Sequence, residues 1–229
     1  VMAAEARRAH RGFLLNRTVG RPALTLKLAS SFDGRIATAT GESQWITGPG
    51  ARRMVHAQRA RHDAVMVGGG TARADDPMLT VRGMGVAAQP LRIVCSRRLD
   101  LPLDGKLAQS AGDVPLWLCH GDSAPEPARA AWERLGARLI EVPIGAGGQL
   151  DPLALLQALG QAGLTRVFCE GGGALAASLL MAGMVDELVG FTAGLAIGAE
   201  GLPAIGPRAW PERDEALPGG DVGEIVDPE

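Results

Sequence analysis

Short apolar runs alternate along this chain with segments of helical periodicity, and this alternation is the strongest constraint on the fold. Leu153, Leu156 and Leu159, for example, recur at helical spacing after Asp151, which we expect to cap their helix. Alternating strands and helices predict a three-layer α/β domain with a largely parallel sheet. The predicted strands are residues 23–30, 64–68, 91–96, 116–119, 138–142, 166–170 and 186–196.

The bulk composition limits the kinds of partner that the chain can have. Its 229 residues allow one well-buried domain with a short appendage. A net charge of −2 provides no basic field for nucleic acid, so we expect a small-molecule partner. Cys95, Cys119 and Cys169 form no zinc pattern and are expected to be reduced core residues of a cytoplasmic protein. No signal peptide or membrane-length apolar run is present, so no membrane association is expected.

A strand, a three-glycine turn and an apolar helix follow one another in residues 166–180. Glycines let an anion approach the backbone, and the first amides and the positive dipole of the following helix favour its negative charge. Glu170, at the end of the strand, would lie beside the ligand. This pattern alone is equally compatible with an ordinary tight turn.

Polar residues also follow two other predicted strands. Residues 68–71 contain three glycines and Thr71, and Ser96 and Arg97 end the strand at residues 91–96. Because ligands collect at the carboxyl ends of parallel strands, this convergence favours a nucleotide site over a plain turn. A basic stripe on the helix near residues 48–62, formed by Arg52, His56 and Arg59, is by itself more typical of a solvated surface.

The residues Gly171–Ala176 match the dinucleotide pattern G-x-G-x-x-A, yet their context argues against a Rossmann unit. That motif normally belongs to an early βαβ unit, with an acidic residue at the end of the next strand. In this chain the motif is late, and Asp186 and Glu187 begin the next strand instead of ending it.

Several ordered motifs are similar to those of one family, the reductase domains of the bacterial riboflavin biosynthesis proteins RibD. They are TLKLASSFDGRIA (25–37), GESQWITG (41–48), RHDAVMVG (61–68), Thr71 with ADDPMLTVR (74–82), EGGG (170–173) and GMVDEL (183–188). The resemblance implies a dihydrofolate-reductase-like α/β/α fold with a mostly parallel mixed sheet. It also implies a homodimer that uses NADPH to reduce 5-amino-6-(5-phosphoribosylamino)uracil at ribose C1′.

The resemblance divides the chain into three parts. Residues 1–22 resemble the linker that follows a deaminase in this family, residues 23–206 the reductase domain, and residues 207–229 form an atypical tail rich in proline, glycine and acidic residues. The deaminase itself, with its zinc-binding H-x-E and P-C-x-x-C motifs, is absent from this chain, so neither the deamination nor a metal site is expected here.

Site residues are carried over from the resemblance motif by motif. NADPH would be held by Ser30, Trp45, Thr71, Asp75, Ser96 and the turn Gly172, Gly173, Ala174, Leu175, Ala176, Ala177 and Ser178, with Arg97 added as a further candidate. The substrate would contact Ser43, Arg59, Leu79, Arg82 and Glu170. Glu170 and Lys27 are the catalytic candidates, and either could manage the proton that reduction requires.

Two other functions stay open from the sequence. A related dihydrofolate-reductase-like enzyme would keep the cofactor residues and act on another pterin or pyrimidine. A non-catalytic module would bind the nucleotide without turnover.

Overall fold

The predicted alternation of strands and helices is present in a seven-stranded sheet with helices on both faces. The computed structural model describes residues 2–41 and 48–206. The helices are α1 (Ala3–Ala9), α2 (Arg11–Val19), α3 (Pro49–Ala60), α4 (Gly69–Asp75), α5 (Lys106–Gln109), α6 (Glu126–Arg134), α7 (Pro152–Gln161) and α8 (Gly173–Met181). The strands are β1 (Ala23–Ser31), β2 (Arg35–Ala37), β3 (Ala64–Gly68), β4 (Leu91–Cys95), β5 (Leu116–His120), β6 (Arg138–Glu141), β7 (Arg166–Gly171), β8 (Glu187–Ala193) and β9 (Leu202–Pro203).

The strand order places β7 near the middle of the sheet. The order is β6-β5-β4-β3-β7-β1-β8, and each pairing in this sheet is parallel. Antiparallel pairing joins β2 and β9 in a separate two-stranded sheet. The carboxyl ends of β4, β3 and β7, which the sequence predicted as ligand-binding segments, therefore lie side by side, and β1 is next to β7.

Two apolar cores, one on each face of the sheet, explain the three layers. On one face Met66 and Val167 pack with Leu156 of α7 and Leu179 of α8. On the other face Val65, Val67 and Leu118 pack with Trp132 of α6 and Ala72 of α4. Neighbouring residues of a strand point to opposite faces, so strands such as β3 contribute to both cores and are apolar throughout.

The helix cap predicted at Asp151 is confirmed. Its carboxylate accepts a hydrogen bond of 2.8 Å from the amide of Ala154 in the first turn of α7. Gly48 precedes α3 in extended conformation with Pro49 at the first helical position, as the sequence also predicts. Among the described residues no helix is long and apolar enough to cross a membrane.

The segment before β1 packs closely against the domain, although its sequence resembles a linker. The side-chain amide of Asn16 donates hydrogen bonds of 3.0 Å to the backbone carbonyls of Gly160 and Leu164. Arg21 forms a bidentate pair with Asp186, with distances of 2.6 and 2.9 Å. A Cβ on Gly12 would lie 2.4 Å from the Thr165 carbonyl, so the α2 backbone is in direct contact with the turn before β7.

Candidate active site

The side chain of Glu170 is directed by an irregularity in the sheet. Met66 of β3 pairs with Cys169, but Val67 pairs with Gly171, so β7 has one extra residue at this point. That extra residue is Glu170. A bulge of this kind re-aims one side chain and is common beside active sites. The sequence places Glu170 at the end of a strand but contains no signal for the bulge.

The glycine turn after Glu170 leads directly into helix α8. Gly171 and Gly172 have φ values of 79° and 95°, a region that side-chain-bearing residues rarely adopt. No side chain caps the start of α8. A Cβ on Gly172 would lie 2.6 Å from the Thr71 hydroxyl, so only glycine lets β7 and α4 approach this closely. The uncapped start of α8 offers backbone N–H groups to an anion.

Ionisable side chains of alternating charge surround Glu170. Leu26 of β1 pairs with Cys169, so the next residues, Lys27 and Glu170, lie on neighbouring strands. Burial lowers the pKa of Lys27, and the Arg59 charge adds to this effect, whereas Glu170 and Asp75 oppose it. The side chain of Asp75 is exposed to solvent. Partial burial of its carboxyl nevertheless raises its pKa, and the positive charge of Lys27 acts in the opposite direction.

Arg59 of α3 is paired with Glu170. Its Nε and Nη2 atoms donate to the two carboxylate oxygens at 2.5 and 2.9 Å, and Nη1 donates to the Thr80 carbonyl at 2.8 Å. The two charged side chains are only 11% and 12% exposed. The structure thus brings together two residues that the sequence assigned to the substrate, in contact with each other.

The segment after α4 carries two further predicted substrate residues. Leu79 is 2% exposed and adopts a φ of 55°, so it is part of the core in a strained conformation. Arg82 is exposed, and its backbone amide donates to Nδ1 of His56 at 3.2 Å. Burial, with the nearby Arg59 and Arg82 charges, lowers the pKa of His56, while Glu170 and the Thr80 backbone act in the opposite direction. The contact between His56 and residue 82 was not predicted.

Ser96 lies at the end of β4 and is almost fully buried, with 3% exposure. Its hydroxyl donates to the Asp100 carboxylate at 2.8 Å, and the other oxygen of Asp100 is 2.9 Å from Arg73. Arg97 donates to the Gly148 carbonyl. Asp100 is therefore a charged neighbour of the predicted cofactor residue that sequence reasoning missed, although it stands only four positions further on.

The remaining predicted cofactor residues are spread along β1, α4 and α8. Ser30 is half-buried near the end of β1, and Thr71 donates to the Gly171 carbonyl at 3.3 Å. Ala174 is exposed, whereas Ala176, Ala177 and Ser178 are buried against the core. Ser178 lines a cleft with Asp151 and Met181, towards the far end of α8. Ser43 and Trp45 lie outside the described residues.

Comparisons with known proteins agree with the fold. Residues 22–212 match the family model described as the RibD C-terminal domain. The riboflavin biosynthesis protein RibD of Escherichia coli is 34% identical over 212 residues, covering 87% of this chain and 56% of that protein. The chain spans about half the length of the curated relatives it matches.

Solved structures show the same similarity. Acinetobacter baumannii RibD superposes with a TM-score of 0.74 at 32% identity, covering 89% of this chain and 55% of that chain. A Thermotoga maritima protein superposes with a TM-score of 0.72 at 25% identity, covering 89% of this chain and 53% of that chain. It is described as a diaminohydroxyphosphoribosylaminopyrimidine deaminase/5-amino-6-(5-phosphoribosylamino)uracil reductase. The predicted dihydrofolate-reductase-like fold is confirmed by these neighbours.

Proposed function

Because the chain belongs to the RibD C-terminal domain family, we propose that it is the reductase of riboflavin biosynthesis, which uses NADPH to reduce 5-amino-6-(5-phosphoribosylamino)uracil to its ribitylamino product. One observation carries the proposal: the bulge at Glu170 places a carboxylate near the half-buried side chain of Lys27, next to the uncapped start of α8. A plain turn between strand and helix would need neither charge.

The residues around the glycine turn fit a nicotinamide dinucleotide. The backbone at Gly172 leaves no room for a Cβ, and the first turn of α8 presents N–H groups suited to a diphosphate. The cofactor supplies hydride when bound. Thr71, Asp75, Ser30 and residues 172–178 would hold it, with Trp45 as the predicted contact outside the described residues.

The proton requirement of the reaction points to Lys27 and Glu170. Reduction at ribose C1′ adds hydride to carbon and a proton to the substrate's heteroatom, so a donor must lie beside the sugar. Burial lowers the pKa of Lys27, which makes it a better acid than an exposed lysine. Glu170, held in place by its pair with Arg59, would accept hydrogen bonds from the sugar hydroxyls.

The substrate phosphate would bind near Arg82. This side chain is exposed and makes no hydrogen bond or ion pair to the residues that the structure describes, so its guanidinium is available to an anion. Ser43 is the predicted hydroxyl partner, and Leu79 would position the loop beside it. Arg59, predicted with them, is already paired with Glu170.

The proposal includes a cytoplasmic homodimer. All three cysteines are unpaired, which suits a reducing compartment. Among the described residues β8 ends the sheet, and Leu188 on this strand is 57% exposed, so the edge is suited to a second copy. Sedimentation of the purified chain tests the dimer directly.

One assay tests the function. NADPH absorbance is followed with the phosphoribosylamino substrate and, separately, with dihydrofolate, using Glu170→Gln as the inactive control. We expect turnover with the first substrate alone. Turnover with dihydrofolate alone would indicate a related reductase, and NADPH binding without turnover would indicate a nucleotide-binding module; either result would refute the proposal.

A further inference from the structure

We propose that Asp33 is a positioning residue, which holds residues 197–206, the strap, against the glycine turn at the start of α8. Asp33 lies in the turn between β1 and β2, and the strap follows β8. The consequence for NADPH affinity rests on the proposed reductase function, whereas the consequence for the strap itself does not.

The carboxylate of Asp33 fixes the first end of the strap. One oxygen accepts a hydrogen bond of 2.6 Å from the Ser31 hydroxyl and one of 3.0 Å from the amide of Ile197. The other oxygen accepts one of 2.7 Å from the amide of Gly198. The Ser31 hydroxyl, followed by these two amides, lowers the pKa of Asp33 to about 2. The side chain is exposed, yet both of its oxygens are bound by protein donors.

The middle of the strap follows the same turn between β1 and β2. Strand β9 pairs with β2, and the amide of Ala204 donates to the Gly34 carbonyl at 3.0 Å. A Cβ on the buried Gly201 would lie 3.0 Å from the Ala37 carbonyl, so the two backbones are in direct contact. The strap is therefore attached along its length to the segment that carries Asp33.

The other end of the strap lies on the glycine turn. The amide of Gly206 donates to the Gly173 carbonyl at 2.8 Å. A Cβ on Gly173 would lie 2.9 Å from the Pro203 carbonyl, and a Cβ on Gly206 would lie 3.2 Å from the Ala174 nitrogen. That nitrogen belongs to one of the first amides of α8, which have no acceptor within the helix and suit an anion. The strap therefore borders the amides that we assign to the cofactor diphosphate.

These contacts make the strap a link between Asp33 and the glycine turn. The glycines at positions 171 and 172 leave the backbone of the turn freer than other residues would, so packing from outside must restrict it. The strap supplies such packing at Gly173, and Asp33 holds the strap. Loss of the carboxylate should loosen both, because the first residues of the strap lose their attachment.

Asp63 is a matched control at the amino ends of the strands. Its carboxylate accepts hydrogen bonds from the amides of Thr165 and Arg166 at 2.7 and 3.0 Å, and from the Thr165 hydroxyl at 2.8 Å. Asp33 and Asp63 thus each bind two consecutive amides and one hydroxyl. Asp63 precedes β3 and binds the start of β7, whereas the glycine turn follows the end of β7.

The test uses the full chain with Asp33→Ala, Asp33→Asn and Asp63→Ala. Amide hydrogen exchange is measured by NMR without cofactor at Gly206 and at Ala176, whose amide donates to the Gly172 carbonyl at 3.0 Å. We expect Asp33→Ala to speed exchange at both amides about fivefold or more, the usual lower limit for coupling between sites. Asp33→Asn should have a smaller effect, because it keeps one acceptor oxygen. Asp63→Ala should lower Tm and leave both rates unchanged.

NADPH affinity gives the second readout. The Kd from NADPH fluorescence should rise about fivefold or more in Asp33→Ala and stay at the wild-type value in Asp63→Ala. Wild-type exchange at Gly206 and Ala176 in Asp33→Ala would overturn the inference, as would equal changes in Asp33→Ala and Asp63→Ala, or faster exchange with an unchanged Kd. A wild-type chain that does not bind NADPH refutes the proposed function instead, and the exchange rates then decide the inference alone.

Discussion

Replacement of Gly172 by alanine tests the glycine turn most directly. Gly172 has φ 95° and ψ 131°, in a region that is close to glycine-only. The new Cβ would also meet the Thr71 hydroxyl at 2.6 Å, well inside normal contact. The substitution therefore strains the backbone and displaces a side chain that we assign to the cofactor.

The expected changes in Tm and in the Kd for NADPH follow from these two effects. A strained backbone conformation costs about 1–3 kcal/mol, which corresponds to a fall in Tm of about 2–12 °C for a chain of this length. Hydrogen bonds to a charged phosphate are worth about 1.5–3 kcal/mol, so losing one should raise the Kd for NADPH by about tenfold to a hundredfold.

Two comparison variants separate the effect of backbone strain from that of the clash with Thr71. Gly183 has a φ of 65°, and nothing lies within 4 Å of the position that a Cβ would take. Gly183→Ala therefore introduces backbone strain without a clash, so it should lower Tm and leave the NADPH affinity unchanged. The double variant Thr71→Ala/Gly172→Ala removes the clash and keeps the strain. Tm comes from calorimetry and Kd from NADPH fluorescence. Wild-type values of both in Gly172→Ala would refute the assignment of this turn.

The remaining predictions concern the N-terminal segment, cofactor choice and pH. Asn16→Ala should lower the free energy of unfolding in urea by about 1–2 kcal/mol, because two buried carbonyls lose their donor; unchanged stability would show that α2 does not dock. The family resemblance implies that Ser96 holds the 2′-phosphate end of NADPH, and the Asp100 carboxylate bound to Ser96 would repel that phosphate. Asp100→Ala should therefore lower the KM for NADPH about 2- to 5-fold and leave that for NADH unchanged; an equal effect on both would contradict this. Lys27→Met should abolish turnover yet raise Tm at neutral pH, because burial lowers the pKa of Lys27 and the buried charge destabilises the fold. That gain should shrink as pH rises from the lowered pKa towards the ordinary 10.5, and a constant gain would contradict the cause.

The sequence predicted the seven strands of the main sheet, the main helices and the region of the site, but not the small sheet of β2 and β9. Periodicity within ten or so residues identifies an apolar strand or a helix face, and capping chemistry such as that of Asp151 is local. The family motifs are also short and ordered, so they identified the fold, and the strand pattern placed Glu170 at the end of a strand.

The sequence interpretation was less complete where contacts join distant positions. Residues 1–22 resemble a linker by their composition, but Asn16 and Arg21 bind residues more than 140 positions away. Ser96 was assigned to a cofactor phosphate without its acidic partner Asp100. Such pairings are single polar contacts between elements that are distant in the chain, and a single contact leaves no periodic signal in the sequence.

The same distinction between local sequence signals and long-range contacts applies to the glycine turn and to Glu170 beside it. The sequence by itself determined that a strand ends at Glu170 and that glycines lead into a helix, because backbone freedom and apolar periodicity are properties of neighbouring residues. Only the tertiary structure decided that β7 bulges at Glu170 and that Arg59, 111 positions earlier, holds its carboxylate. Strand register and ion pairing arise from the relative placement of β3, β7 and α3, which the burial of the two cores fixes.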